Sequence, residues 1–167
     1  MDKYYVDEWL IVNADEGSIF WRKSRGLAKA GDSAIHKHEI TSRGGAKYKA
    51  ISFGRRKWLL HRFIWTYVNG EIPDGMIVDH IDGNTSNNSI KNLRLASKAE
   101  SSFNKGMFKN NTSGVKGVYW DKRNKKWMAY GRINGKMKNL GRYSSIEDAK
   151  NAAEEFRRVN FKEFYRR

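Results

Sequence analysis

The run of residues 76–95, MIVDHIDGNTSNNSIKNLRL, leaves this chain few ways to fold. Its ends are short apolar stretches. Its middle is crowded with Asn, Asp, Ser and Gly, whose side chains bond to their own backbone and favour turns. The pattern predicts a strand over residues 76–79, a loop over 81–89 and a second strand over 93–95. Ser97-Lys-Ala-Glu100 is a capping box, which opens a helix to about residue 104. This strand, loop, strand and helix place an acid, Asp79, beside a base, His80, with an amide, Asn92, thirteen residues after Asp79.

Upstream, residues 17–22 and 47–53 alternate like strands, and the charged, Gly-containing residues between them read as loops. Leu59, Leu60, Phe63, Ile64, Tyr67 and Val68 recur at helical spacing, so residues 58–69 are read as a helix that stops at Gly70. Downstream, residues 105–114 are polar and show neither period. They read as a partly flexible linker. Strands are expected over 115–120, 126–133 and 136–140, with a turn at 121–125 and a tight Asn134-Gly135 turn. Ser145-Ile-Glu-Asp148 caps a last helix whose apolar face is Ile146, Ala149, Ala152, Ala153, Phe156 and Val159. The expected organisation is a domain over 1–104, the linker over 105–114, and a second domain over 115–167.

Charge narrows the partner. The 167 residues carry a formal charge of +15, and residues 105–167 alone hold 17 Lys and Arg against 6 acids. A chain this basic expects an anionic partner, and nucleic acid fits best. Apolar residues make up 39% of the chain, enough for packed cores. No apolar run reaches the roughly 18 residues of a membrane span, so no membrane is expected. The first residues lack the basic and apolar regions of a secretory signal. Without Cys there are neither disulfides nor thiolate-held zinc, and a reducing cytoplasm is the expected compartment.

Cutting a phosphodiester needs a nucleophilic water, a cation at the phosphate and help for the leaving oxygen. Asp79 is a hard oxygen donor suited to Mg²⁺ or Mn²⁺. His80 can take a proton from water near neutral pH. The two are neighbours, so on an ideal strand they point to opposite faces, and the strand's twist and end must bring them into one site. Asn92 has no acid–base chemistry; its amide can tie the loop and hold the histidine. Asp82, Asn84, Asn87 and Asn88 read as plain turn residues. His61 either orients a phosphate or packs on Trp65. Arg94 either reaches a phosphate or is an ordinary surface arginine. His36 and His38 read as solvated surface.

His61-Arg62, residues 78–84 and residues 92–95, in this order and spacing, resemble the HNH endonucleases of the phage and intron homing type over about residues 59–104. The resemblance implies an α+β protein whose first domain has a ββα-metal fold. His80 would be the general base, Asp79 a metal ligand and Asn92 the loop anchor. It also implies one Mg²⁺ or Mn²⁺ ion and a nick or double-strand break in DNA. One position departs from the pattern. The family usually carries Asn or His nine residues after the Asn, where this chain has Ser101. Asn104, one turn on, could take that place as a ligand, as could Glu100.

In the basic module, alternation along residues 126–133 puts Trp127 and Ala129 on one face and Lys126, Met128, Tyr130 and Arg132 on the other. The first face suits the helix, joined by Val118 and Trp120. The second, with Tyr119 and Lys116, suits DNA. Lys122, Arg123 and Lys125 are placed to hold phosphates, Arg132 to read a base, and Lys136 and Asn139 to add contacts. Residues 110–165 resemble the Apetala-type (ethylene-response-factor) DNA-binding domain, which implies a three-stranded sheet plus helix laid in the major groove. Arg22, Lys23, Arg43, Arg55 and Arg56 are further candidate contacts. The chain is therefore expected to be a monomer that cuts double-stranded DNA inside a phage- or mobile-element-bearing bacterial cell. A non-catalytic DNA-binding regulator built on a decayed nuclease, and an RNA-binding protein, stand as alternatives.

Overall fold

A computed structural model describes residues 1–104, 106, 107, 110–133 and 135–165. The chain is mixed α/β, with small antiparallel sheets and a few helices, and divides into two compact units, 1–98 and 99–167.

The first unit opens with α1 (Lys3–Trp9), capped by Asp2, whose carboxylate accepts from the N–H groups of Tyr4 and Tyr5. α1 runs into β1 (Leu10–Asn13), which pairs antiparallel with β2 (Ser18–Trp21). β3 (Ile40–Thr41) pairs with β4 (Lys47–Tyr48), and β5 (Ala50–Phe53) with β6 (Arg56–Leu59). The β5–β6 turn is Gly54-Arg55, with φ of 59° and 60°, the double positive φ of a type I′ hairpin turn. α2 (Leu60–Asn69) follows without a break and ends at Gly70. Trp58 and Leu59 therefore belong to a strand and not to the helix. Their side chains fit a helical spacing, but their backbones pair with Ile51 and Ala50. β7 (Met76–His80) and β8 (Leu93–Ser97) form the expected hairpin, each a little longer than the sequence suggests. A turn of 3-10 helix, Ile90–Asn92, leads into β8.

Val6, Leu10, Ile19, Ile51, Leu60, Phe63 and Ile64 are fully buried in one core. That core joins α1 and the first hairpin, of which the sequence marks only the second strand, to α2. Burying each such side chain contributes about 1.5–3 kcal/mol. Residues 1–50 thus act as the platform on which the β7–β8 hairpin rests.

The second unit begins with α3 (Lys98–Phe103). The sequence places the boundary after Asn104. The compact unit starts earlier because Phe103 stacks flat on Phe161 at 3.9 Å between centroids. Residues 111–114 form a hydrogen-bonded turn: the Asn111 side chain accepts from Gly114 N–H at 2.8 Å and donates to the Val115 carbonyl at 2.9 Å. β9 (Val118–Asp121), β10 (Lys126–Ile133) and β11 (Lys136–Tyr143) form one antiparallel sheet in the order β11-β10-β9. β9 starts later than expected, and β11 runs three residues past the expected Leu140 end. The Asn134 half of the expected turn lies outside the described residues. Ala129 pairs with Gly141 but Tyr130 with Asn139, so Leu140 is an extra, unpaired residue. This bulge turns Leu140 onto the core.

α4 (Ile146–Phe161), capped by Ser145, packs on the sheet through Ala149 and Ala153. Gly131 is needed beneath it, because a Cβ there would lie 2.2 Å from the Phe156 ring. Two details of the expected faces differ. Val159 is 57% exposed, since the buried face of α4 follows Ala149, Ala153, Arg157 and Phe161 and Val159 falls on the other side. Trp120 is 42% exposed and meets Trp127 edge-on at 5.0 Å, beyond the helix's cover.

Candidate active site

His80 ends β7 and is buried, with 5% of its surface exposed. Its Nε2 lies 3.2 Å from Oδ1 of Asn88, which is itself buried. The Asn88 amide is oriented by its own Nδ2, which donates to the Ser86 carbonyl at 3.1 Å. An amide oxygen only accepts, so the hydrogen-bond pattern puts the ring proton on Nε2. In the neutral ring Nδ1 is then the basic nitrogen. Asn88, which reads as a plain turn residue in the sequence, is the group that sets this tautomer.

Asn92 ties the loop, as its chemistry suggests. Its Oδ1 accepts from Asp82 N–H at 3.0 Å, and its Nδ2 donates to the Asp82 carboxylate at 2.9 Å and to the Asn87 carbonyl at 2.8 Å. Asp82 also accepts from Asn84 N–H and from the Asn87 amide. Partial burial opposes its charge, but these donors and the nearby His80 outweigh it and hold the carboxyl below its usual range. The loop from 81 to 92 is thus fastened by an acid and three asparagines. Its far side rests on the first hairpin: Ile90 N–H bonds to the Ala14 carbonyl, and Gly17, at φ +69°, abuts Asn88. A Cβ on Gly17 would lie 2.6 Å from the Asn88 carbonyl carbon.

His61, on the first turn of α2, is neither exposed to phosphate nor set on Trp65. It is 5% exposed, with its ring 4.9 Å from His80 and 5.2 Å from Tyr48. Burial, with the positive charges of His80 and Arg62, pushes its pKa down to about 3. It is a neutral wall beside His80. Tyr48 completes the cluster, 6.3 Å from His80.

Asp79 faces Arg94 directly across the β7–β8 ladder. Arg94 donates to Asp79 Oδ2 from Nε at 3.3 Å and from a terminal nitrogen at 3.2 Å, with both side chains largely buried. Arg94 is thus turned to a carboxylate rather than displayed to a backbone phosphate. His80 keeps company with Asn88, His61 and Tyr48, and Asp79 with Arg94. Ser101 lies half-buried on α3 and Asn104 is buried just beyond it, both in the second unit. Among the described residues, no cluster of three or more His, Asp or Glu side chains is arranged to hold a metal ion. A magnesium ion does not need such a cage: it commonly takes one or two carboxylates and completes its shell with water and substrate phosphate. Asp79 is a donor of that kind.

In the second unit, Tyr119 and Tyr130 meet at 5.8 Å, and Tyr119 is exposed. Lys122, Arg123, Lys125, Lys126, Arg132, Lys136 and Asn139 are exposed, as expected. Asn139 also accepts from Gly141 N–H, within the bulge. Lys116 is an exception: it is half-buried and its ammonium donates to the Phe103 carbonyl at 3.1 Å. Asp121 organises the basic turn through Asn124, Arg123 and Arg142, and these bonds hold its carboxyl below the usual range.

The family model described as HNH endonuclease matches residues 59–102, and that described as AP2 domain matches residues 113–162. Residues 59–102 are thus similar to HNH endonucleases, and residues 113–162 to AP2 domains. Protein 3.8 of Escherichia phage T7 is 44% identical over 80 residues, covering 48% of this chain and 66% of the relative. A protein of Acanthamoeba polyphaga mimivirus, named "Uncharacterized HNH endonuclease L560", is 38% identical over 119 residues, covering 68% of this chain and 62% of the relative. The match spans a little under two thirds of the length of each of these two relatives. No solved structure matches the chain.

Proposed function

We propose that this chain is a divalent-metal-dependent endonuclease of homing type, acting on double-stranded DNA through a ββα-metal centre. The observation that carries the reading is the buried His80, whose Nε2–H is pinned by Asn88 so that Nδ1 is the basic nitrogen. In the proposed step, Nδ1 takes a proton from water as the water oxygen bonds to phosphorus. The P–O bond opposite breaks, and its electron pair leaves on the departing sugar oxygen. The neutral His61 and the amide of Asn88 hold the ring in place, and Asn92 keeps the loop closed behind it.

Nucleases of this family generally use a divalent metal. When bound, such an ion neutralises charge on the scissile phosphate and eases departure of the leaving oxygen. Asp79 is the ligand we assign, with Ser101 or Asn104 as the proposed second donor. The second unit supplies affinity and register through its basic sheet face and the Lys122–Lys125 turn. A monomer on an asymmetric site is proposed, in a bacterial cell that carries the phage or mobile element.

A second reading has its own support. The Arg94 pair already satisfies the Asp79 carboxylate, and Ser101 stands where the family carries a stronger ligand. Both fit a DNA-binding regulator that no longer cuts. Supercoiled plasmid incubated with the protein and Mg²⁺ or Mn²⁺ separates the two. Nicking that disappears in His80→Ala while binding persists supports the nuclease. Binding without nicking, even for Ser101→Asn, supports the regulator.

A further inference from the structure

The β5–β6 hairpin and the start of α2 enclose an open cleft of about 340 Å³, lined by Arg56, Lys57, Trp58, Leu59 and Arg62. We propose that this cleft is a phosphate clamp, which holds the backbone of duplex DNA next to the cluster that contains His80. The inference deepens the nuclease reading by naming a substrate subsite on the first unit.

Three cations and no carboxylate line the cleft. Arg56, Lys57 and Arg62 are exposed, and none of them makes an ion pair among the described residues. Lys23 and Lys91 of the same unit lie against Glu8 and Asp15, but no acid lines this cleft. The cleft therefore presents concentrated charge that the chain does not neutralise itself. Arg56 is already ordered, with its guanidinium over the Trp58 ring at 5.3 Å, so it loses less freedom on gripping a ligand. Arginine forks match the paired oxygens of a phosphodiester, and Lys57 adds a point charge.

The same geometry argues for backbone rather than bases. Strands held by their bases need open aromatic faces for stacking. Trp58 is half-buried, covered by Arg56 and met edge-on by Phe63 at 5.9 Å. It braces the cations and leaves the clamp to read phosphate alone. Position ties the clamp to the proposed chemistry. Arg62 follows His61 on the first turn of α2, and the His61 ring lies 4.9 Å from that of His80.

The test is equilibrium binding of the full chain to a short DNA duplex of arbitrary sequence, without divalent ions, over a range of salt. Each phosphate neutralised contributes about 0.9 to the slope of log K against log salt. R56Q/K57Q/R62Q is expected to lower the slope by about 1–2, while K3Q/K150Q/R158Q, which removes as much charge elsewhere, changes it far less. Equal slopes for the two variants overturn the clamp, as does tighter binding to an RNA duplex than to DNA. If the triple variant melts early, Arg62→Gln alone decides, with an expected loss of about 0.9 against no change. No cutting occurs in this assay, so a chain that fails to nick leaves the clamp intact, and a nicking chain with unaltered slopes loses only the clamp.

Discussion

Replacing His61 by Phe should flatten the acid side of the stability profile of the first unit. His61 is buried, and its pKa is pushed from 6.5 to about 3. Between those values the unfolded chain binds a proton there that the folded chain does not. A depressed folded pKa means that stability is fully present above 6.5 and drains away as pH falls toward 3. The interval spans roughly 3.5 pH units, which at about 1.36 kcal/mol each is about 5 kcal/mol in all. From pH 6.5 down to 4.5 the loss is about 2.7 kcal/mol, against a total stability of roughly 5–15 kcal/mol for a domain. Carboxylates such as Asp82 titrate in the same range, so the difference between two proteins carries the information. Amide hydrogen exchange of α2 should be followed from pH 7 to 4.5 in the wild type and in His61→Phe. The wild type is expected to lose about 2–3 kcal/mol more than the variant over that range. Parallel profiles would refute the burial of a neutral His61 against His80.

Four further outcomes follow from the loop, the hairpins and the second unit. Asn88→Ala removes the acceptor that fixes the His80 ring and should slow nicking about 10–100-fold with DNA binding unchanged, as read by single-turnover cleavage. Asn92→Ala unties the 81–92 loop and should destabilise the first unit by about 1–3 kcal/mol in urea unfolding, besides slowing cleavage. Gly17→Ala places a Cβ against the Asn88 backbone at a positive φ, and should slow cleavage although it lies on a separate hairpin. Phe161→Ala removes the ring stacked on Phe103 and should destabilise the second unit by about 3–5 kcal/mol in thermal melting.

Much of the second unit can be read from its sequence. Alternation from Lys126 to Ile133 gives β10 its bounds, and the Asp121–Lys125 charge cluster gives the turn. The β7–β8 hairpin is legible because turn-forming residues sit between two apolar runs. Other features depend on contacts far along the chain. α1 and β1 are short, and packing onto α2 rather than any strong local period holds them in place. Trp58 and Leu59 satisfy a helical spacing, yet pairing with β5 wins over propensity. Asn88 carries every mark of a turn residue. Only the fold shows that its oxygen meets a histidine eight residues back. His61 reads as outward-facing because Leu60 and Ile64 define the buried side of α2. Tyr48 and His80 cover the other side, so that face is buried too.

Metal-dependent nicking of supercoiled plasmid, compared among wild type, His80→Ala and Asn88→Ala under single-turnover conditions, bears most directly on the assignment of Nδ1 as the base. The expected result is cutting by the wild type, cutting slowed about 10–100-fold in Asn88→Ala and none in His80→Ala, with all three binding the plasmid equally. Undiminished cutting by His80→Ala would contradict it.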